Sequence, residues 1–197
     1  MTTTKGEETR RNILHSSLAM ASRLGLDGLS IGTVAKQVGM SKSGLFAHFE
    51  SKEDLQLKVL ETGVDHFIRK VVTPALRQPR GEPRVRALFE NWLTWSEYLP
   101  GGCPFIAAAA EVDDRPGPLR EFLASSQKDW LGVLAQAARI CMEEGHFRSD
   151  LEAEQFGYHL NGILLAHHHC ERLLRDPEAE ERARASFEEL MAGARPA

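Results

Sequence analysis

Hydrophobic residues recur at intervals of three and four through most of the chain, which is the spacing of one face of a helix. No stretch alternates between apolar and polar residues in the way that a half-buried strand does. The pattern therefore predicts an all-α protein without a β-sheet. About nine helices are expected, at residues 7–24, 30–38, 41–50, 51–74, 84–98, 104–112, 117–145, 151–174 and 178–192.

The composition is typical of a globular protein without a membrane span. A chain of 197 residues can form one core, or a small module attached to a larger domain. The longest apolar runs, FIAAAA (105–110) and GILLA (162–166), are far shorter than a membrane-spanning helix. The N-terminal MTTTKGEETRR has no apolar segment behind its charges. No secretory signal is therefore expected, and a cytoplasmic location is predicted.

The sequence lacks the motifs of disulfide frameworks, zinc knuckles and several enzyme classes. Cys103, Cys141 and Cys170 are odd in number and have no CxxC spacing, so neither a disulfide framework nor a zinc knuckle is indicated. The sequence contains no GxSxG, HExxH or P-loop motif. We therefore predict that the protein is not an enzyme and has no bound cofactor.

The charge is distributed unevenly along the chain. The formal net charge of the whole chain is -4, yet residues 1–60 carry a net charge of +2 and residues 61–197 carry -6. The net charge on its own argues weakly against a nucleic-acid partner, but the distribution puts the basic side of the molecule in its N-terminal part.

Local signals divide the N-terminal part into short helices. Ser30 can cap a helix that Gly39 ends, and Ser51 with Asp54 resembles a capping box that opens a long helix. A short helix, the turn VGMS and a second short helix follow a longer stabilising helix. This order of elements is that of a helix-turn-helix.

The second short helix, SKSGLFAHF (41–49), has the residues that a recognition helix needs. Its first turn is small and polar, so that the backbone can approach DNA, and it carries donors for phosphates or base edges. These residues are Ser41, Lys42, Ser43 and Gly44. Leu45 and Phe49 are expected to anchor the helix to the core. The alternative is a helical pair that only packs.

The stretch SKSGLFAHFESKEDL closely matches the pattern SKxxLYxHFxSKExL, and in this respect the chain resembles the TetR family of transcriptional regulators. The resemblance covers roughly residues 8–60. It implies a three-helix DNA-binding domain (1–50) and a helical effector-binding and dimerisation domain (51–197) that begins with a long linking helix. It also implies a homodimer that binds a palindromic operator in double-stranded DNA and responds to an unidentified small molecule, most often as a repressor.

The resemblance assigns DNA contacts to individual positions. Ser41 to Gly44 would lie at the DNA surface, and His48 and Lys52 would contact phosphates, with Thr33 as a further candidate. Roles without DNA contact are the alternatives, since His48 could brace the helix end and Lys52 could be a solvated surface residue. Phe46 stands where the family usually has tyrosine, so a hydroxyl that could bind phosphate is absent while ring stacking remains possible.

Aromatic residues in the larger domain are candidates for an effector pocket, because such pockets are lined mainly by apolar side chains. Core packing is the alternative role for each of them. The candidates are Trp92, Trp95, Cys103, Phe105, Trp130 and His167.

The run LLAHHHCERLL (164–174) raises the alternative of a metal- or thiol-responsive regulator. Consecutive helical residues point about 100° apart, so the three adjacent histidines cannot converge on one ion. Only His167, Cys170 and Glu171 share a face, and a dimer axis would be needed to complete a metal site. Cys103, in PGGCPF, is the other candidate for a thiol sensor. We predict no metal site within one chain.

The resemblance also implies that the last two long helices, 151–174 and 178–192, pack against their copies in a second subunit. Their apolar stripe has spacings of three and four residues, but an intramolecular core stripe would look the same. The stripe is Phe156, Leu160, Ile163, Leu164 and His167.

Overall fold

The computed structural model describes residues 4–196, and every regular element in that range is a helix. The helices are α1 (Lys5–Leu24), α2 (Ile31–Val38), α3 (Lys42–Phe46), α4 (Lys52–Phe67), α5 (Thr73–Leu76), α6 (Glu82–Tyr98), α7 (Pro104–Val112), α8 (Pro118–Glu143), α9 (Ala153–His169) and α10 (Ala179–Ala194). Ile68–Val72, between α4 and α5, and Cys170–Leu174, after α9, are π-helical. The described residues thus form nine unbroken helical stretches, and the predicted all-α fold is confirmed.

The chain packs into two compact units. The first comprises the residues up to His66 together with Glu97–Ala124, and the second comprises Phe67–Ser96 together with the residues from Ser125 onward. The boundary predicted after residue 50 separates a DNA-binding part from an effector-binding part by function. The two packing units do not test it, so it stays a prediction.

Capping interactions fix the helix starts in the first unit. Thr4 and Glu7 form a capping box at α1, and Ser30 and Thr33 form one at α2. The predicted end of α2 is also present, since Gly39 adopts the left-handed conformation with φ 68°. At the start of α4, the Ser51 hydroxyl accepts the Asp54 N–H at 3.0 Å, as the capping-box pattern predicts.

Two predicted helix ends differ from the structure. The helix predicted at 41–50 ends at Phe46, where the His48 N–H bonds to the Leu45 carbonyl in a tighter turn that lets Phe49 become buried. The helix predicted to stop at Pro74 continues through it. Pro74 lies in the first turn of α5, directly after the π-helical Ile68–Val72, and a proline is tolerated there because no N–H is needed.

The core of the second unit is aromatic. The rings of Phe89 and Phe187 stack with centroids 4.1 Å apart, and Phe67 meets the ring of Trp130 edge-on at 5.0 Å. Four residues of the predicted stripe on α9 are buried within this unit, and Ile163 is half-buried. The intramolecular alternative therefore holds for those four, which are Phe156, Leu160, Leu164 and His167.

Candidate nucleic-acid interface

The helices α2 and α3 meet through the short turn 39–41 and bury one face each in the first unit. Ile31, Val34 and Ala35 are the buried side of α2. Leu45 is completely buried, and Phe49, just beyond α3, is 2% exposed. The predicted anchoring by Leu45 and Phe49 is confirmed, and the opposite side of α3 is left at the surface.

Six of the eight residues predicted to contact DNA are exposed. Phe46 is 54% exposed, which is unusual for a large apolar side chain and fits a contact surface. Gly44 and His48 are half-buried. The exposed members are Thr33, Ser41, Lys42, Ser43, Phe46 and Lys52.

The first turn of α3 is shaped by Ser41. Its hydroxyl accepts the Gly44 N–H at 3.0 Å and lies 3.1 Å from the Ser43 hydroxyl. A Cβ at Gly44 would lie 3.2 Å from the Ser41 oxygen, so a larger residue would crowd this cap. The small residues that sequence reasoning assigned to DNA therefore also build the helix start.

Lys42, predicted to lie at the DNA surface, is close to the first turn of α2, and Lys52, predicted to contact phosphate, is close to the loop before that helix. The Cε atom of Lys42 is 3.3 Å from where a Cβ would stand at Gly32, in the first turn of α2. The Nζ atom of Lys52 donates to the Asp27 carbonyl at 3.3 Å. A helix N-terminus carries free N–H groups and partial positive charge, which favour an anionic ligand, as the positive charge of each lysine does.

Thr33 has a structural role within this region. Its Oγ1 accepts the Ser30 N–H at 2.9 Å and lies 3.0 Å from the Ser30 carbonyl oxygen. The hydroxyl is thus already engaged in the capping box of α2.

Sequence reasoning missed two features of this region. The guanidinium carbon of Arg10 lies 5.5 Å from the centroid of the Phe49 ring, a cation–π contact that braces α3 from α1. Arg115 donates to the Asp27 carboxylate at 2.7 Å and lowers the pKa of that carboxyl. Both pairs are far apart in sequence, so no local pattern signals them.

The predicted effector-pocket residues are all buried, and they lie in different units. Cys103 and Phe105 belong to the first unit, and the other four belong to the second. In the second unit the Trp130 N–H donates to Asn161 at 3.1 Å, and the ring of His167 lies 6.4 Å from that of Trp92. The assignment of Trp92, Trp95, Cys103, Phe105, Trp130 and His167 to a pocket stays a prediction.

A groove with a volume of about 590 Å³ lies between α9 and α10 in the second unit. His167, 4% exposed, is on its wall, and its Nδ1 atom has no hydrogen-bond partner among residues 4–196. Most of the other lining residues are small, apolar or aromatic, among them Tyr158, Ile163, Ala166, Ala183 and Leu190.

The metal candidates are not assembled into a site in the described part of the chain, and the thiol-sensor alternative at Cys103 stays a prediction. His167 Nε2 and Glu171 Oε2 are 3.7 Å apart, and no group of three or more His, Cys, Asp or Glu side chains there is placed to hold a metal ion. Burial raises the pKa of the Cys141 thiol to about 12, which makes it a poor nucleophile.

Among the described residues, no helix is both long and apolar enough to span a membrane.

Two family models match the chain. Residues 13–59 match the model described as bacterial regulatory proteins, tetR family, and residues 81–187 match the tetracyclin repressor-like C-terminal domain. The second match alone covers more than half of the chain.

Individual proteins agree with these matches. The chain is 33% identical over 57 residues to the HTH-type transcriptional regulator AcrR of Shigella flexneri, a match that covers 29% of this chain and 26% of AcrR. The matched part is thus about a quarter of the length of that relative.

Solved structures show the same fold. A TetR-family regulator from Cytophaga hutchinsonii has a TM-score of 0.87 at 18% identity and covers 100% of both chains. AibR, solved with isovaleryl coenzyme A and operator DNA, has a TM-score of 0.73 at 20% identity and covers 94% of this chain and 99% of its own. Together with the two family matches, they lead to one conclusion: the chain belongs to the TetR family of transcriptional regulators, which are helix-turn-helix DNA-binding proteins and not enzymes.

Proposed function

We propose that this protein is a ligand-responsive repressor that binds a palindromic operator as a homodimer. The observation that carries the proposal is the division of α3 and the turn after it into two sides. Leu45 and Phe49 are buried, while Ser41, Lys42 and Phe46 lie at the surface. A buried anchor with a small, cationic exposed face suits a helix that enters the major groove.

Phosphate contacts would come from the cluster at the start of α2. Lys42 and Lys52 would supply two positive charges there, and His48 would supply a third donor on the turn after α3. Phosphate contacts position a protein on DNA without reading sequence, so the exposed Ser43 and Phe46 are the proposed contacts to bases or sugars. Ser41, Gly44 and Thr33 would allow close approach of the backbone.

Dimerisation would use the groove between α9 and α10. Tyr158 is 67% exposed and Leu165 is 43% exposed, so this side of α9 carries apolar surface that a second copy would cover. A symmetric dimer brings the same face of both chains together, and a palindromic operator matches such a two-fold axis.

The effector would be a small molecule that binds the predicted pocket residues of the second unit, which are Trp92, Trp95, Trp130 and His167. By binding more tightly to the form with low DNA affinity, it would shift the population away from the operator-bound form. AibR, with its isovaleryl coenzyme A and operator DNA, is a relative of the same fold in which both kinds of ligand are bound. Such a regulator acts on the chromosome, so we place it in the cytoplasm.

The test begins with selection of duplexes by the wild-type protein from a random 30-base-pair pool. Binding of the selected duplex is then measured by fluorescence anisotropy over a range of salt concentrations. We expect a palindromic consensus, a stoichiometry of an even number of chains per duplex, and affinity that falls steeply with salt because phosphate contacts release counterions. Selection of no sequence, together with salt-independent binding, would refute the proposal.

A further inference from the structure

The loop that joins α1 to α2, residues 25–29, is held by a side chain that is remote in sequence. Glu111, near the C-terminal end of α7, accepts the N–H groups of Leu26 at 2.8 Å and Asp27 at 3.0 Å on one carboxylate oxygen. Hydrogen bonds to a charged acceptor are stronger than those between neutral groups. One carboxylate of α7 therefore fixes two consecutive peptide units of this loop.

Two backbone carbonyl groups of the loop accept hydrogen bonds from α4. The side-chain amide of Gln56 donates to the Leu26 carbonyl at 2.6 Å, and Lys52 donates to the Asp27 carbonyl at 3.3 Å. Leu26 and Gln56 are both buried. The loop thus lies between a carboxylate on one side and the amide and ammonium groups of α4 on the other.

Gly25 allows the carboxylate to come this close. Its φ is +70°, a conformation that L side chains rarely adopt, and a Cβ there would lie 1.6 Å from the second carboxylate oxygen of Glu111. A second contact secures the end of α1, because the Gly101 N–H donates to the Ser22 hydroxyl at 3.0 Å. The sequence therefore leaves this approach open at a position where any other residue would block it.

The loop is part of the proposed phosphate-binding region. It leads directly into Ser30, the N-cap of α2, and its Asp27 carbonyl is the group on which the ammonium of Lys52 rests. Displacement of the loop would move the N-terminus of α2 and would remove the anchor of Lys52. The position of Glu111 is outside residues 13–59, which match the DNA-binding family model.

We propose that Glu111 is a positioning residue for operator binding, which holds the 25–29 loop so that Lys52 and the start of α2 face the same phosphate. The proposal rests on the proposed operator binding and assigns it a residue outside the helix-turn-helix. Glu111 itself does not contact DNA, and its effect passes through the loop to Lys52.

A double-mutant cycle tests this role. The affinities of wild type, Glu111→Ala, Lys52→Ala and the double variant are measured on the duplex that the wild type selects. We expect Glu111→Ala to weaken binding about tenfold in the wild-type background, as loss of charged hydrogen bonds implies, and only about twofold when Lys52 is already absent. Asp114→Ala removes an exposed carboxylate three residues away and should leave the affinity unchanged.

Other results would overturn the inference. An unchanged affinity of Glu111→Ala, or an equal loss in both Lys52 backgrounds, would show that Glu111 does not act through Lys52. Should Glu111→Ala fail to fold, the same cycle is measured with Glu111→Gln, which keeps the shape and loses the charge. If the wild type selects no duplex, operator binding itself is wrong, and that result is distinct from the outcomes of the cycle.

Discussion

The pair α2–α3 and the pair α9–α10 are both two packed helices, yet only the first pair reveals its role in the sequence. The exposed side of α3 carries serine and lysine, which a core would not select, so the proposed DNA-contact surface differs from a buried one in its residue types. On α9, buried Leu160 and Leu164 alternate with groove-lining Ile163 and Ala166, and all four are apolar. A polar contact surface can be predicted from the sequence, whereas an apolar interface has the same residue pattern as a buried core.

The largest expected effect comes from removing the anchor of α3. Leu45→Ala leaves a cavity at a completely buried position and should lower the free energy of unfolding by about 3 kcal/mol. Urea denaturation would measure the loss, and binding of the selected duplex should disappear with the displaced helix.

The matched control lies in the other pair. Leu164→Ala, at an equally buried position of α9, should cost similar stability but retain DNA binding when the protein is folded. If the two variants lose DNA affinity equally, the contrast between the two helix pairs is wrong.

The next effect concerns charge at the start of α2. The double variant Lys42→Ala, Lys52→Ala should weaken duplex binding at low salt by at least about tenfold, and each lysine should reduce the slope of log affinity against log salt by about one unit per subunit. Anisotropy titrations at several salt concentrations would measure both quantities. Lys128→Ala, an exposed lysine of the second unit, is the charge-matched control and should leave the slope unchanged. A slope that the double variant does not alter would exclude these lysines as phosphate contacts.

Features that depend on residues close together in sequence were predicted, and features that depend on distant residues were not. The caps at Ser30 and Ser51 and the left-handed Gly39 involve neighbours within four residues, and all were predicted. The early end of α3 and the passage of α4 through a π-helical turn depend on tertiary packing and were not.

The same reasoning applies to the candidate site. The exposed face of α3 could be read from its residue types, and the burial of Leu45 followed from its position in the motif. The bond from Glu111 to the loop at Leu26 spans 85 residues, and that from Arg115 to Asp27 spans 88. Gly25 is a local sequence signal that accompanies this packing. It did not predict the contact, because a glycine at the end of a helix is already explained as a helix cap.

A smaller effect would separate interface from core in the second pair. Ala166→Glu places a charge in the groove between α9 and α10 and should convert the proposed dimer into monomers, because an unpaired charge is costly in an apolar interface. Light scattering after size-exclusion chromatography would give the mass. Ala185→Glu, the same change at an exposed position of α10 outside the groove, should remain dimeric. Dimers from both variants would place the subunit contact on a different surface.

The smallest expected effect is at Phe46, which is 54% exposed on the side of α3 that we propose to contact DNA. Phe46→Tyr adds a hydroxyl at the ring edge, and one new hydrogen bond to phosphate is worth about 1 kcal/mol, or about fivefold in affinity. Stability should not change, because the side chain is at the surface. Phe46→Leu removes the ring and should weaken binding if the ring packs on a sugar or a thymine methyl. Equal affinities for the wild type and both variants would show that Phe46 makes no DNA contact. The part of α3 that contacts DNA would then be its first turn alone.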